Sequence, residues 1–558
     1  MSMDWYRRRY LSLIASAIAG CFLIVPVLRG QGGEPLYFAI RGARIVPVSG
    51  PTIENGTIVI SRGIIASVGR DTKIPDEAWI IDGKGFTVYP GLIDSFSDVG
   101  ISTTPADSNQ PKPEISRGPE DRPGSTPWRN AADEVNLADK RIETWRNGGF
   151  TTIVAAPKGG FFPGQAAILD LAGERGGDLV VKSPVAIPVN LHTPAGFGGG
   201  FPNSLMGALA YVRQVWLDTE WSTRAQAAYE KNVRVERPRY DRTTASLAAA
   251  LEKHPAALIP ANSEVEIRRS LELIDRWKAS AVIYGGQMAY ETAGEIAAKK
   301  LPVLVNAKWP EAEKDADPED KPSLRTLRFR DRAPSSPGAL TKANVKFAFY
   351  SGGLAAPKDV LKAVKKSIDA GLPEDAALRA LTLSAAEIFG VSDRLGSIEV
   401  GKIANLVITD GNLFDDKTKI KAIFVDGRKF DPHEPEKPKD PPKGDISGKW
   451  KLAFTTPDGA EEAIAELFME KAGTISGTVT GKRGVGTILN GSASTDKFTF
   501  TINIPVEGTP TDITFSGTFD ATSLKGSISL SGFSTDFTAT KQTEKPARTL
   551  TSMAGSAL

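Results

Sequence analysis

Short apolar runs of four to six residues recur between residues 151 and 350 with helix-like segments between them, and this alternation constrains the fold more than any other feature of the chain. The runs are Thr151-Thr152-Ile153-Val154-Ala155-Ala156, Val185-Ala186-Ile187-Pro188-Val189-Asn190, Ala257-Leu258-Ile259-Pro260, Ala281-Val282-Ile283-Tyr284, Leu301-Pro302-Val303-Leu304-Val305-Asn306 and Val345-Lys346-Phe347-Ala348-Phe349-Tyr350. A run that is apolar on successive residues suits a strand covered on both faces, and strand, helix, strand repetition lays such strands parallel in one sheet. The expected class is α/β.

The regions on either side differ in pattern. From Leu36 to Val88, β-rich runs such as Tyr37-Phe38-Ala39-Ile40 and Thr57-Ile58-Val59-Ile60 are parted by turn signals such as Glu54-Asn55-Gly56, which suits a small sheet. Residues 431–445 are dominated by Pro, Lys, Glu and Asp and are expected to form an extended spacer. Beyond it, Phe498-Thr499-Phe500-Thr501-Ile502-Asn503-Ile504 and Ile513-Thr514-Phe515-Ser516-Gly517-Thr518-Phe519 alternate with period two. Such strands bury one face, and their close turns predict an antiparallel meander closed into a small barrel or sandwich. Gly448-Lys449-Trp450 resembles the opening strand of a lipocalin-type barrel.

Three motifs carry a family resemblance. Val88-Tyr89-Pro90-Gly91-Leu92-Ile93-Asp94-Ser95-Phe96-Ser97-Asp98 leads into the repeating region, and Ser384-Ala385-Ala386-Glu387-Ile388-Phe389-Gly390 lies near its end. Ile398-Glu399-Val400-Gly401-Lys402-Ile403-Ala404-Asn405-Leu406-Val407-Ile408 follows, closing on Val425-Asp426-Gly427-Arg428. Together they resemble the amidohydrolase superfamily, in particular its imidazolonepropionase-like secreted group, over about Leu36 to Phe430. The resemblance implies a (β/α)8 TIM-like barrel with a composite β-sandwich built from both flanks. By family the reaction is hydrolysis of non-peptide carbon–nitrogen bonds. Ser384 and Glu387 fit a capping box at a helix start.

The family's metal site is where this chain departs. After Ile-Asp the first strand of relatives carries His-x-His, and here those positions are Phe96 and Asp98. The fifth strand brings Pro260 or Asn262 where a ligand histidine is expected. Tyr284-Gly285 stands where a His-Gly pair is expected, and Ser351-Gly352 where a Ser-Asp pair would supply the metal-bound aspartate. Phe96, Asp98, Pro260, Tyr284 and Gly352 are therefore degenerate ligand positions. Asn405 likewise replaces a usual acid. Relatives draw four histidines to the centre, whereas the whole chain holds three, His192, His254 and His433. Zinc or another divalent metal is implied by the family and expected to be lost, so no cofactor is assigned and the catalytic residues stay unassigned. Asp94 and Asp98, on one strand face, offer too few oxygens for a hard cation. A nucleophilic set of Ser351, His192 and Asp98 lacks an elbow motif. Asp94, Lys158, Asn190, His192, Asn262, Tyr284, Gln287, Asn306, Lys308 and Ser351 are candidates to line a pocket for an uncharged or anionic small molecule. Gly196 to Phe201 is a candidate flap.

With 68 basic and 66 acidic residues the net charge is +2, and no basic, aromatic-interleaved patch speaks for nucleic acid. Arg7-Arg8-Arg9 precedes an apolar run from Leu11 to Leu28, the pattern of an export or anchoring segment. Three fates stay open: lipidation at Cys21 within Ile18-Ala19-Gly20-Cys21, cleavage after Gly30 or Gly32, or an uncleaved anchor. Each places the protein outside the cytoplasm, in periplasm, envelope or medium. Cys21 is the only cysteine, which excludes a disulfide within the chain.

The expected organisation is an amino-terminal segment 1–33, a composite sandwich from 34–88 and 391–430, a barrel over 89–390, the spacer 431–445, a β domain 446–542 and a tail 543–558. The preferred functional expectation is an exported amidohydrolase relative whose barrel binds a small molecule or serves assembly. Two alternatives stand beside it: an active hydrolase of cyclic amides or dipeptides with an atypical site, and a ligand- or glycan-binding protein acting through its C-terminal β domain.

Overall fold

The structure, a computed structural model, describes residues 37–101, 122, 124–191, 204–232, 234–252, 256–277, 280–312, 321–432, 442–456, 459–469, 473–482, 484–506, 509–520, 522–530 and 533–542. The amino-terminal segment with Cys21, the flap Gly196 to Phe201, all three histidines and most of the spacer lie outside the described residues.

The amino-terminal flank supplies β1 Tyr37–Ile45, β2 Ile53–Ser61, β3 Ile64–Gly69, β4 Trp79–Asp82 and β5 Thr87–Pro90. The barrel supplies β6 Leu92–Ser97, β7 Phe150–Ala155, β8 Ala166–Asp170, β9 Val180–Pro188, β10 Ala256–Ala261, β11 Ala281–Gly285, β12 Val303–Asn306 and β13 Phe347–Tyr350. The chain then returns as β14 Leu406–Thr409, β15 Ile420–Val425 and β16 Arg428–Phe430.

Strands from both flanks form one sheet in the order β16-β15-β14-β5-β1-β2-β3, with β4 on β1. The composite arises because β14 pairs antiparallel with β5, Val407 opposite Tyr89. On one edge β1 serves two neighbours in turn, Phe38 opposite Trp79 of β4 and Arg44 opposite Thr87 of β5, and on the other it pairs with β2, with a register shift between Arg41 and Ala43. Inside the resulting sandwich Ile40, Ile45, Ile58 and Ile60 from one flank pack with Leu406, Ile408 and Phe424 from the other. Neither flank closes that core alone.

The second sheet runs β6 through β13 in sequence order and forms the TIM-like barrel. Ile93, Val154, Ile168, Leu258, Val282, Leu304 and Ala348 share an inner cluster, which Ala385 and Phe389 join. The alternate residues Ile153, Ile259, Ile283, Val305 and Phe349 pack outward with helical Trp145, Val212, Ile267 and Leu340. Both faces are thus dry, which is why the runs read as continuously apolar. Each fully buried Ile, Leu or Phe contributes about 1.5–3 kcal/mol. Gly91 joins sandwich to barrel where a Cβ would lie 2.0 Å from Thr151 Oγ1, so only glycine lets β5 pass directly into β6.

The TIM-like barrel is refined in one respect, and the capping box needs correction. Every neighbouring pair would be parallel in a strict (β/α)8 repeat, yet β8 runs antiparallel to both β7 and β9. Only residues 156–165 separate β7 from β8, too few for the helical crossover a parallel pair requires. The helix near Gly390 spans Leu383–Ile388 with Thr382 at its N-cap, so Ser384 lies inside it and no capping box forms. Glu387 instead bonds Arg379 at 2.6 Å and pairs with Lys346 at 2.8 Å.

Residues 448–541 form eight antiparallel strands, β17 Gly448–Thr456, β18 Gly459–Met469, β19 Thr474–Gly481, β20 Gly484–Ser494, β21 Lys497–Val506, β22 Thr509–Phe519, β23 Ser523–Leu530 and β24 Phe533–Lys541. β17 pairs with β24, Trp450 opposite Lys541, so the meander is a closed barrel rather than a sandwich. Its interior is filled by Trp450, Phe498, Phe500, Phe515 and Phe537, with Phe500 and Phe515 stacked at 4.9 Å.

Candidate functional site

The carboxyl ends of the parallel strands meet around a cavity of about 310 Å³ lined by Phe96, Asp98, Lys158, Asn190, Tyr284 and Asn306 together with Tyr350 to Gly353. In barrels of this kind the strand carboxyl ends and the loops that follow them form the reactive or binding face.

Its floor is aromatic. The Phe96 ring lies 5.0 Å from that of Tyr284 and 5.8 Å from that of Tyr350, and the two tyrosines are 6.4 Å apart, within the range of favourable edge and tilted contacts. The Tyr284 hydroxyl donates toward the Val189 carbonyl at 3.1 Å and Asn190 Oδ1 at 3.0 Å, while Asn190 Nδ2 donates to the Gly160 carbonyl at 2.9 Å. Burial pushes both tyrosine hydroxyls well above their ordinary range, so they stay neutral. Gly352 has φ +61°, and a Cβ there would sit 1.8 Å from Asn306 Oδ1, which itself accepts the Lys308 amide at 2.8 Å. A side chain at 352 would have to displace Asn306.

The wall is charged and compensated. Asp98 contacts Lys158 Nζ at 2.6 Å and Arg141 Nη1 at 3.3 Å. Burial works against its ionisation, but Lys158 and Arg141 outweigh it and hold the carboxyl below the usual range. Arg141 also grips Asp139 at 2.8 Å and the Asp98 carbonyl at 3.0 Å. Lys158 keeps 69% of its side chain exposed, so its remaining donors face the opening.

Asp94 does not share this space. The pairing of β6 with β7 slips between Asp94 and Ser97, which breaks the alternation that would put Asp94 and Asp98 on one face. Asp94 is 1% exposed and accepts from Trp145 Nε1 at 3.1 Å and from the Ser351 amide at 2.9 Å. Burial raises its pKa while those donors oppose the shift. It fastens β6 to the end of β13 from behind the cavity wall.

Of the other sequence candidates, Lys158, Asn190, Tyr284, Asn306 and Ser351 line the cavity. Asn262 is exposed at the start of the helix Glu264–Trp277, where Glu266 accepts the Asn262 and Ser263 amides at 2.8 and 3.0 Å. Pro260 sits opposite Tyr284 in the β10–β11 pairing without lining the cavity. Gln287 donates to the Lys308 carbonyl at 2.6 Å and holds that loop from the side. His192 lies outside the described residues. Sequence reading missed Arg141, which comes from the helix Arg141–Asn147, and Tyr350. Tyr350 had a signal, since it ends an apolar run beside Ser351; Arg141 had none.

A divalent cation needs several anionic or imidazole donors converging on one point. Among the described residues no three His, Cys, Asp or Glu side chains converge. At the strand ends Phe96 and Gly352 have no donor, Tyr284 is neutral and engaged, and Asp98 is neutralised by two cations. This donor set does not fit such an ion.

The chain is thus a TIM-like barrel carrying a composite sandwich, with its cavity at the strand carboxyl ends. Comparison with known proteins gives several likenesses. Residues 326–435 match the amidohydrolase family. Over 148 residues the chain is 27% identical to the amidohydrolase tasK of Hapsidospora irregularis, a match covering 23% of this chain and 14% of that protein's length. An amidohydrolase structure from Thermotoga maritima is similar with a TM-score of 0.58 and 22% identity, over 71% of this chain and 100% of that one. A solved Xaa-Pro dipeptidase with bound methionine gives a TM-score of 0.45 at 15% identity, over 71% and 100% of the two chains. The likeness to the Thermotoga maritima structure shows the fold, and the amidohydrolase family match covers residues 326–435 of the 558.

Proposed function

We propose that the barrel mouth binds a small uncharged or anionic molecule without a catalytic metal, and that the protein acts in binding or assembly rather than by the hydrolysis usual in its superfamily. The contact of the Phe96, Tyr284 and Tyr350 rings carries this reading. It puts aromatic surface where the motif of relatives puts imidazole, and the steric conflict of any side chain at 352 with Asn306 keeps the expected aspartate out. Without a bound cation there is no means of bringing the pKa of water down toward 7. What remains is a recognition surface: ring faces for an apolar group, amides of Asn190 and Asn306 at the rim, and the exposed ammonium of Lys158 for an anionic one.

Metal analysis of protein purified without chelators tests the proposal. Zinc, iron and manganese should be far below stoichiometric, and chelator should leave the melting temperature unchanged. Phe96→His alone should restore no activity, because an open catalytic site needs about three protein ligands. Near one equivalent of tightly held metal with chelator-sensitive hydrolysis of cyclic amides or dipeptides would overturn the reading. Export through the amino-terminal segment belongs to the same proposal. Labelled fatty acid entering the protein, and lost in Cys21→Ala, would identify lipidation; unlabelled protein beginning near Gln31 or Gly33 would identify cleavage.

A further inference from the structure

The helix Leu205–Lys231 is the longest in the described chain and only part of it touches the barrel. Its buried residues are Ala208, Val212, Val215, Trp216 and Thr219, one face at about 100° per residue. After Thr219 no residue is buried, so the last twelve residues, about 18 Å of helix, run on without a core to hold them. A helical stretch of that length is marginal in water unless an apolar face is covered.

The face opposite the barrel presents Met206, Ala210, Arg213, Leu217, Trp221, Arg224 and Ala228, all exposed and three or four residues apart. Met206 is 80% exposed, Leu217 43% and Trp221 61%. Scattered apolar residues on a surface need no explanation, but Met206, Leu217 and Trp221 share one helix face and form a stripe, with Ala210 and Arg213 between the first two.

The stripe is complementary to itself. Laid antiparallel on a second copy with the two-fold axis at Leu217, it brings Leu217 onto Leu217, Met206 onto Ala228, Ala210 onto Arg224 and Arg213 onto Trp221. The guanidinium of Arg213 then meets an indole face and lies beside Glu220 of the second copy, twice per pair by symmetry. Trp216 Nε1 donates to the carboxylate of Glu220 at 3.2 Å, and Glu220 remains exposed at the edge of this face. Small alanines opposite the long Met206 and Arg224 let the two backbones approach. We infer that this face is a self-association surface: two copies of the chain pair through an antiparallel contact of the helix Leu205–Lys231 centred on Leu217.

The pairing is tested on the full chain carrying Cys21→Ser, which leaves any introduced cysteine the only thiol. Leu217→Cys should be joined into a dimer by a short bismaleimide. Met206→Cys should not be, because its two copies would lie about 33 Å apart along the helix axis. Mixing Met206→Cys with Ala228→Cys protein should restore the crosslink. In sedimentation the Cys21→Ser chain should show dimer at tens of micromolar, and exposed Trp221→Glu should shift it to monomer with unchanged melting temperature. A monomer at all concentrations, a dimer indifferent to Trp221→Glu, or crosslinking of Met206→Cys as efficient as that of Leu217→Cys would overturn the inference.

Discussion

At the mouth of the barrel the carboxylate of Asp98 is ionised between Lys158 and Arg141, whereas at the base the carboxyl of Asp170 is buried and pushed up to about 7. Burial dominates at Asp170; the hydrogen bonds from Thr152 Oγ1 at 2.7 Å and Asn405 Nδ2 at 3.0 Å oppose it, and Asp426 adds to it. Asn405 is the centre of this base. It also donates to Thr152 Oγ1 at 3.1 Å, its Oδ1 accepts the Asp426 amide at 2.7 Å, and its carbonyl accepts the Gly91 amide at 2.7 Å. The mouth thus holds compensated charge next to solvent, where a ligand can compete for it. The base holds dry, nearly neutral polar groups whose partners lie in different parts of the chain. The first arrangement suits recognition and the second joins sandwich to barrel.

The most damaging way to probe this contrast is Asn405→Ala. It leaves Thr152, Asp170 and the Asp426 amide short of partners in a buried site, and unfolding by denaturant should show a loss of about 4 kcal/mol. A loss below about 1 kcal/mol would mean that the base does not join the two parts.

Asp170→Asn should act in the opposite sense and depend on pH. The folded pKa is raised above the usual carboxylate value, so the stability associated with Asp170 is fully present below about pH 4, falls as pH rises toward 7, and is flat above. The substitution should therefore stabilise the protein at pH 8 by roughly 4 kcal/mol, with no gain at pH 4. Equal melting shifts at both pH values would show that Asp170 is ionised in the fold.

Gly352→Asp carries a carboxylate to the mouth, where the Asn306 side chain and φ +61° resist it. A loss of about 2–3 kcal/mol is expected, with no gain of metal binding. Stability kept together with bound zinc would show that the mouth accommodates a metal-binding carboxylate.

Lys158→Ala is the mildest change. The lysine end of the pair is 69% exposed and Arg141 still faces Asp98, so stability should move by less than about 1 kcal/mol. Titration of Asp98 by NMR should move upward, since one of its two cations is gone. An unmoved Asp98 would assign its ionisation to Arg141 alone.

Much of this was legible in the sequence. The apolar runs became strands because a parallel sheet covered on both faces leaves no polar alternation to blur the signal. The composite sheet was readable from the Val88 to Asp98 and Ile398 to Ile408 motifs. The reversal of β8 was hidden in Ala166–Asp170, a strand too short and too evenly buried to state its direction. At the candidate site, the substitutions at Phe96, Tyr284 and Gly352 were visible one by one. Their convergence into an aromatic floor was not, because a slip in the β6 register decides which way Phe96 turns.

By itself, then, the sequence determined the class of fold, the two flanks that must meet, the period-two β domain and the shortage of imidazole. Those follow from local pattern and residue chemistry, which act along the chain. Only the tertiary structure decided that Asp98 is neutralised by Lys158 and Arg141, that Asn306 fills the space beside Gly352, and that Asp170 and Asn405 meet at the base. Each of these depends on distances between residues tens to hundreds of positions apart, and such distances are set by how the strands close into a barrel.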